Sequence, residues 1–167
     1  MNQKQKGFTL IELVVVMFLL SITLFFALPN INNSILSNSK NQFSRWLILN
    51  IKALKEKSTA EQNKYILHIA ISTGRLWITN ETMGEEDKIN AARQAYKISN
   101  DIKIIDVELM RKGIISSGRV DINFYKGGYS DKAFIHFADE KYDQFTVSVE
   151  PFIGKVIFYD GYIQLKD

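Results

Sequence analysis

A long apolar run follows the polar leader Met1–Gly7 and reads Phe8-Thr-Leu-Ile-Glu-Leu-Val-Val-Val-Met-Phe-Leu-Leu-Ser-Ile-Thr-Leu-Phe-Phe-Ala-Leu28. It has 21 residues, and Glu12 is its one charged residue. At about 1.5 Å rise per residue, a helix of this length spans the hydrocarbon core of a bilayer. Two lysines precede the stretch and no basic residue follows before Lys40. This asymmetry predicts a cytoplasmic N-terminus, with the remaining chain across the membrane.

Glu12 is the unusual residue of this segment. A charge inside a membrane-length apolar helix costs about 2.5–3.5 kcal/mol on insertion scales. A plain signal anchor would explain the length of the segment, but neither the Gly7-Phe8 pair nor the carboxylate. A secretory signal peptide would end in small residues at its cleavage site, and the run ends in Phe25-Phe-Ala-Leu-Pro29 instead.

The block Lys6-Gly-Phe-Thr-Leu-Ile-Glu-Leu13 resembles the processing site of type IV prepilins and pseudopilins. The resemblance implies that a prepilin peptidase cuts between Gly7 and Phe8, that Phe8 is then N-methylated, and that Pro29 kinks the helix. It also implies that Glu12, the fifth residue of the cleaved chain, is an assembly residue facing the N-terminal ammonium of a neighbouring subunit. Removing one partner of a buried ion pair strands the other, so such a pair can set the register of a filament.

Composition limits the partners and the chemistry. The chain has 167 residues, enough for one domain beyond the anchor, and a formal charge of +3. The leader carries two lysines, so its removal leaves +1, too near neutral to make nucleic acid the default partner. The absence of cysteine excludes disulfides, thiol catalysis and cysteine-based zinc sites. Many major pilins carry a C-terminal disulfide, so this absence favours a pseudopilin or minor pilin.

The pattern after the anchor predicts an α+β fold, with a long kinked N-terminal helix packed on an antiparallel β-sheet domain. Helix is predicted from about Phe8 to about Thr59, with residues 8–28 as the transmembrane or filament-core part and residues 29–59 as its continuation. An apolar stripe of that continuation recurs at spacings of three and four. We expect the stripe to hold the β domain and also to pack against neighbouring helices in a filament; its residues are Phe43, Trp46, Leu47, Ile51 and Leu54.

Residues 60–167 predict a β domain, periplasmic by the topology above. Lys64–Ile71 and Arg75–Thr79 read as a hairpin around Ser72-Thr-Gly74. The polar stretch at about 80–100 is predicted to be an insertion with one or two helical turns. Alternating apolar residues predict further half-buried strands at 102–108, 118–125, 132–137, 144–149 and 155–159.

A narrower resemblance covers the C-terminal half. Phe124-Tyr-Lys-Gly-Gly-Tyr-Ser130, the strand Phe145–Val149 and Phe152-Ile-Gly-Lys-Val156 resemble the GspH/FimT-like domain. Lys126 stands where that family often has proline. The resemblance implies a minor pseudopilin of a type II secretion system, stored in the inner membrane and assembled into a short periplasmic filament. Its partners would be the prepilin peptidase, other major and minor pseudopilins, and the inner-membrane assembly platform.

No catalytic residue, metal site or cofactor is predicted, so the chain is not expected to be an enzyme. His68 and His136 fall in predicted strands, where a lone histidine is usually structural or solvent-facing. Glu85-Glu-Asp87 lacks the ligand spacing of a calcium loop, and the acidic residues at 139–143 read as a charged turn. There is no P-loop, so the chain is not the ATPase that drives assembly.

The alternative is a minor pilin of a type IV or competence pilus that binds DNA or primes assembly. Lysines near the end of the long helix could form a basic patch for phosphate groups. Glu56 and Glu61 interrupt that group, so a scattered solubilising surface is favoured over a DNA site. The lysines concerned are Lys52, Lys55, Lys57 and Lys64, with Lys126, Lys132 and Lys155 elsewhere.

Overall fold

The computed structural model describes residues 10–27, 29–153 and 155–165, and it describes the backbone but not the side chains of residues 24–38 within these ranges. The chain divides into two compact units, Met1–Asn38 and Ser39–Asp167. The first unit holds helix α1, Leu10–Ala27, and the beginning of α2, Pro29–Ala60. The predicted leader, Met1–Gly7, lies outside the described residues. So does Leu28 between the helices, and the kink at Pro29 therefore stays a prediction.

The second unit contains the rest of α2, a short helix and nine strands among its described residues. A 3-10 turn at Ile71–Thr73 joins the first two strands. The elements after α2 are β1 Tyr65–Ala70, β2 Arg75–Asn80, α3 Glu85–Arg93, β3 Tyr96–Lys97, β4 Ile102–Leu109, β5 Gly113–Ile115, β6 Arg119–Phe124, β7 Ala133–Asp139, β8 Gln144–Val149 and β9 Val156–Asp160.

The strands form two sheets rather than one. The first has the order β3-β2-β1-β6 and the second the order β5-β4-β7-β8-β9, and every pairing is antiparallel. The predicted α+β class with an antiparallel β domain is confirmed. The split arises because β6 returns to β1, as in Leu67 opposite Ile122, whereas β7 returns to β4, as in Val107 opposite Ile135.

The predicted hairpin is present, with Leu67 opposite Ile78 across β1 and β2. Gly74 ends the connecting turn with φ of 60°, in the left-handed region that favours glycine. The predicted insertion contains α3, which is nine residues long. Arg75 from β2 fixes the end of α3, because its guanidinium donates to the Ala92 carbonyl oxygen at 2.6 Å.

The α2 stripe supplies one wall of the core. Phe43, Leu47, Ile51 and Leu54 are between 0% and 2% exposed, and the Phe43 and Phe137 rings pack edge to face with 4.8 Å between their centroids. Burial of this depth confirms the packing role of the stripe. It leaves these four side chains no surface for a neighbouring helix, so the expected second role of the stripe is wrong for them.

A different pair of α2 side chains is open to a neighbour. Leu49 is 66% exposed and Ile48 is 37% exposed. Trp46, at the margin of the stripe, is half-buried and stacks on Tyr96 at 4.2 Å between ring centroids. Tyr96 belongs to β3, so this contact helps to hold that two-residue strand at the edge of the first sheet.

Candidate functional site

Helix α1 is apolar on every side. All of its described side chains, from Leu10 to Thr23, are exposed in the single chain. Its hydroxyl groups are satisfied within the helix, since Ser21 donates to the Met17 carbonyl oxygen at 2.8 Å and Thr23 donates to that of Leu19 at 2.6 Å. A helix that is apolar all round is normally covered by other helices or by lipid. Helix α1 therefore has the surface of a helix that packs against other helices or against lipid.

The predicted site residues are only partly described. Gly7 and Phe8, the predicted cleavage and methylation positions, lie outside the described residues. Glu12 lies in the first turn of α1, and its side chain is exposed. A carboxylate is favoured there by the positive end of the helix dipole. Pro29 is the first residue of α2, the position at which proline is best tolerated because its missing N–H has no helical partner.

Among the described residues, no helix is both long enough and apolar enough to cross a membrane. The predicted span Phe8–Leu28 includes three residues outside the described ranges and stays a prediction.

The end of α2 is tied to the loop between β8 and β9 through a buried lysine. The Lys55 ammonium donates to the carbonyl oxygens of Pro151 at 3.1 Å and Ile153 at 2.6 Å, and also to that of Glu150. Burial lowers the pKa of Lys55, although the Glu150 carboxylate opposes that shift. Lys55 is only 7% exposed, so it belongs neither to the scattered solubilising surface that the sequence favoured nor to the alternative basic patch.

Aromatic side chains gather beside this loop. Tyr125 and Tyr129 stack at 4.7 Å between ring centroids, and Tyr129 lies 6.4 Å from Phe152. Phe152 is 84% exposed and the neighbouring Ile153 is 62% exposed. Gly128 allows the turn that carries Tyr129 to approach α2 closely. Its φ is +78°, and a Cβ there would lie 2.9 Å from the Thr59 hydroxyl.

The two histidines are structural members of hydrogen-bonded groups. His136 is fully buried, with Nδ1 2.6 Å from the Asp106 carboxylate and Nε2 2.8 Å from the Ile163 carbonyl oxygen. The Tyr162 ring stacks on it at 3.9 Å, and the Tyr162 hydroxyl donates to the same carboxylate. This group holds the C-terminal segment against the second sheet. Burial and the hydrogen bond to Asp106 raise the pKa of Tyr162.

His68 plays the equivalent part in the first sheet. Its Nδ1 lies 2.7 Å from the Asp121 carboxylate, its Nε2 lies 2.8 Å from the Thr79 hydroxyl, and its ring stacks on Trp77. The sequence places both histidines in strands, but it does not show which carboxylate faces each one. The partner of His68 is 53 residues away along the chain and that of His136 is 30 residues away.

The acidic clusters are surface features. Glu85 in the first turn of α3 pairs with Lys88 at 2.7 Å. The Asp139 carboxylate accepts the backbone N–H groups of Lys141 and Asp143, which closes the predicted charged turn. Within the described part of the chain, no group of three or more acidic or histidine side chains could hold a metal ion.

Comparison with known proteins identifies a sequence motif and a similar fold. Residues 2–28 match the family model described as the prokaryotic N-terminal methylation motif. The fold is similar to that of the minor pseudopilin EpsH from the type 2 secretion system of Vibrio cholerae, with a TM-score of 0.56 and 12% sequence identity. That similarity covers 73% of this chain and 96% of EpsH. The chain thus carries an N-terminal methylation motif and has a fold similar to that of a minor pseudopilin.

No curated protein sequence matches this chain. The match to the methylation motif ends before α2, so it identifies the N-terminal segment alone, and the similarity to EpsH shows the fold.

Proposed function

We propose that this chain is a structural subunit, a minor pseudopilin of a type II protein secretion system. The observation that carries the proposal is the N-terminal methylation motif at residues 2–28 on a chain with a minor-pseudopilin fold. The precursor is anchored in the inner membrane with its β domain in the periplasm. A prepilin peptidase cuts between Gly7 and Phe8, and Phe8 is methylated before the chain enters the filament.

Assembly runs through α1. Its exposed apolar side chains include Leu10 at 82% and Phe18 at 64% exposure. Burying an apolar side chain of this size contributes roughly 1.5–3 kcal/mol relative to exposure to water, so α1 is strongly favoured in lipid before assembly and among other helices after it. The expected neighbours are α1 helices of other major and minor pseudopilins, delivered by the inner-membrane assembly platform. On α2, Leu49 and Ile48 are the side chains available to extend this packing.

Glu12 gives the packing its register. Four apolar side chains surround it in sequence, so it enters a poorly solvated bundle when α1 does. The ammonium of Phe8 in the neighbouring subunit is the cation that the processed N-terminus supplies. A misplaced subunit would leave both charges without their partner, and the cost of that arrangement selects the correct one.

The second candidate function is a minor pilin of a type IV or competence pilus that binds DNA. The lysine contacts argue against its DNA-binding form. Lys55 is buried, Lys52 lies 3.9 Å from Glu56, and Lys126 pairs with Glu81. These pairs lower the positive charge that phosphate groups would need.

Deletion of the gene, with complementation by the wild-type chain, tests the assignment. Export of folded proteins to the medium should fall at least tenfold, while pilus-dependent motility and DNA uptake stay at the level of the parent strain. Complementation should restore export. Loss of motility or DNA uptake with normal export would contradict the secretion role and favour the pilus alternative.

A further inference from the structure

The middle of the second sheet is buried on both faces. Phe137 and Phe145 lie in the hydrophobic core. Their neighbours in β7 and β8, His136 and Thr146, are on the opposite face, because side chains alternate along a strand. Both of these polar side chains are nevertheless fully buried. They contact the segment after β9, residues 161–165, which we call the strap.

The strap is bound mainly by side chains of the sheet. Gly161 directly follows β9, and its φ of 88° ends the extended conformation of that strand. Thr146 donates to the Gly161 carbonyl oxygen at 2.7 Å and accepts the Ile163 N–H at 3.0 Å. The Leu165 N–H donates to the Glu108 carboxylate at 2.9 Å. The position of the strap therefore depends on the state of these side chains.

His136 contacts an acceptor at each of its two ring nitrogens. Nδ1 lies 2.6 Å from the Asp106 carboxylate, and Nε2 lies 2.8 Å from the Ile163 carbonyl oxygen of the strap. A neutral imidazole has one N–H donor and one acceptor nitrogen. With a neutral His136 and an ionised Asp106, one contact would set a lone pair against an oxygen in a fully buried place. The geometry therefore requires one additional proton on this pair.

The additional proton belongs on His136. The Tyr162 hydroxyl donates to the second oxygen of the Asp106 carboxylate at 3.1 Å, and such a hydrogen bond favours the ionised carboxylate. Burial raises the pKa of Tyr162, so its hydroxyl keeps its proton while a histidine titrates. The arrangement that satisfies every donor and acceptor is thus an imidazolium beside a carboxylate.

The surroundings of His136 carry more negative than positive charge. Glu108 is on the same face of β4 as Asp106, and among the described residues no lysine or arginine nitrogen lies within 4.0 Å of either carboxylate. The nearest element with a cation is the start of β7, where a lysine lies over the Phe134 ring. The titratable groups around His136 in the described residues are Asp106 and Glu108 of β4, Lys132 before β7, Tyr159 of β9 and Tyr162 of the strap.

We propose that residues 161–165 form a proton-dependent strap, which closes on the second sheet when His136 is doubly protonated and loosens when His136 loses one proton to the solvent. A neutral His136 keeps the N–H that faces the charged carboxylate, since that hydrogen bond is the stronger of the two. Nε2, which faces the Ile163 carbonyl oxygen, is then without a proton. Deprotonation therefore acts directly on the strap.

The direction of the pH effect follows from the proton count. The closed strap binds one proton more than an open strap with a solvated, neutral imidazole, so a rise in pH favours opening. Histidine titrates close to neutral pH, so the strap responds in that range. All of these contacts lie within the second unit, and the inference does not depend on the proposed function.

His68 shows an arrangement that needs no additional proton. Its Nδ1 faces the Asp121 carboxylate at 2.7 Å, but its Nε2 faces the Thr79 hydroxyl at 2.8 Å, which can donate as well as accept. A neutral His68 with its proton on Nδ1 satisfies both contacts. Since the chain has two histidines, His68 is an internal control for His136.

The first measurement is the protonation of the two imidazoles. Long-range ¹H–¹⁵N NMR spectra of the full-length chain in detergent micelles, labelled with ¹⁵N-histidine, show which ring nitrogens carry a proton, and His68→Gln assigns the signals. At about pH 7.5, above the ordinary histidine midpoint of about 6.5, both nitrogens of His136 should be protonated and His68 should carry a proton on Nδ1 alone. A single proton on His136 at this pH would overturn the proposal.

The second measurement is hydrogen exchange in the strap. The Ile163 and Leu165 amides report on closure, because side chains of the sheet accept their hydrogen bonds. Their protection factors, which remove the intrinsic effect of pH on exchange, should fall at least about tenfold between about pH 6 and about pH 9. The amide of Val147, a buried residue of β8, should keep its protection. Constant protection of the strap amides over this range would overturn the proposal.

Asp106→Asn should remove the pH dependence. The new amide can donate to Nδ1 of a neutral His136 and still accept the Tyr162 hydroxyl, so Nε2 keeps its proton for the strap. In this variant His136 should carry one proton, on Nε2, and the protection of the strap should be constant over the same pH range. Asp121→Asn, at the carboxylate that faces His68, is the matched control and should keep the pH dependence of the wild type.

The outcomes of the variants are exclusive. The proposal is overturned if the strap of Asp106→Asn loosens with pH as that of the wild type does, or if Asp121→Asn removes the pH dependence. If Asp106→Asn does not fold, the protonation of His136 in the wild type decides the proposal by itself.

Discussion

The Lys55 ammonium and the Ile153 carbonyl oxygen lie 2.6 Å apart, in a hydrogen bond that joins the end of α2 to the loop between β8 and β9. Carbonyl oxygens of Glu150 and Pro151 accept from the same ammonium. The helix that carries the chain out of its first unit thus also fixes the loop that displays Phe152.

Replacing Lys55 with methionine should lower the free energy of unfolding by about 1–3 kcal/mol, because the loop carbonyls lose a buried donor. Lys52→Met is the control on the same helix. The Lys52 side chain is 64% exposed, so its loss should change stability by no more than about 0.5 kcal/mol. Urea unfolding of the two variants measures the difference. Equal effects of the two substitutions would show that the Lys55 contacts contribute nothing.

Stability should also depend on pH through Lys55. Burial lowers its pKa in the folded state from the ordinary value of 10.5. As the pH rises through the lowered folded pKa toward 10.5, the unfolded state binds more protons than the folded state, and the free energy of unfolding increases. Relative to Lys55→Met, the wild type should therefore gain stability as the pH rises toward 10.5. A constant or shrinking difference over that range would contradict this assignment.

Two leucines on α2 should separate folding from assembly. Leu47 is fully buried, so Leu47→Ala should destabilise the β domain by about 2–5 kcal/mol. Leu49 is 66% exposed, so Leu49→Ala should leave unfolding within about 0.5 kcal/mol of the wild type. Filament incorporation, measured by co-sedimentation, should nevertheless fall for Leu49→Ala. The outward face of α2 has no packing role if incorporation of that variant is normal.

The sequence predicted the elements that repeat a simple pattern. The three-and-four spacing from Phe43 to Leu54 gave the buried face of α2, and alternation gave the strands of the two sheets, such as Val120 to Phe124. The shortest strands, β3 and β5, were not predicted, since two or three residues are too few to show a period. Their positions depend on pairing with β2 and β4.

The sequence also did not predict contacts between residues that are far apart along the chain. Lys55 reads as a surface lysine, since it lies among charged neighbours, and only the fold brings the carbonyl oxygens of a loop about 95 residues later against it. The pairing of His136 with Asp106 was not predicted for the same reason, because the two residues are 30 positions apart in the sequence. The division into two sheets was missed as well, because strand patterns give the faces of a strand but not its neighbours.

Substitution of Glu12 tests the assembly contact. Glu12→Ala should leave cleavage of the leader unchanged and reduce incorporation into filaments at least tenfold, because the neighbouring N-terminal ammonium would lose its partner. Glu56→Ala is the control, since Glu56 is an exposed carboxylate of α2 whose side chain is 67% exposed. Incorporation of Glu12→Ala at the wild-type level would show that Glu12 makes no assembly contact.

The mass of the N-terminal peptide, measured on the chain isolated from cells that produce a prepilin peptidase, shows whether the leader is cut and the new N-terminus methylated. We expect a chain that begins at Phe8 and carries one methyl group on its N-terminal nitrogen. A chain that still begins at Met1, or one that is cut at any bond other than Gly7–Phe8, would contradict it.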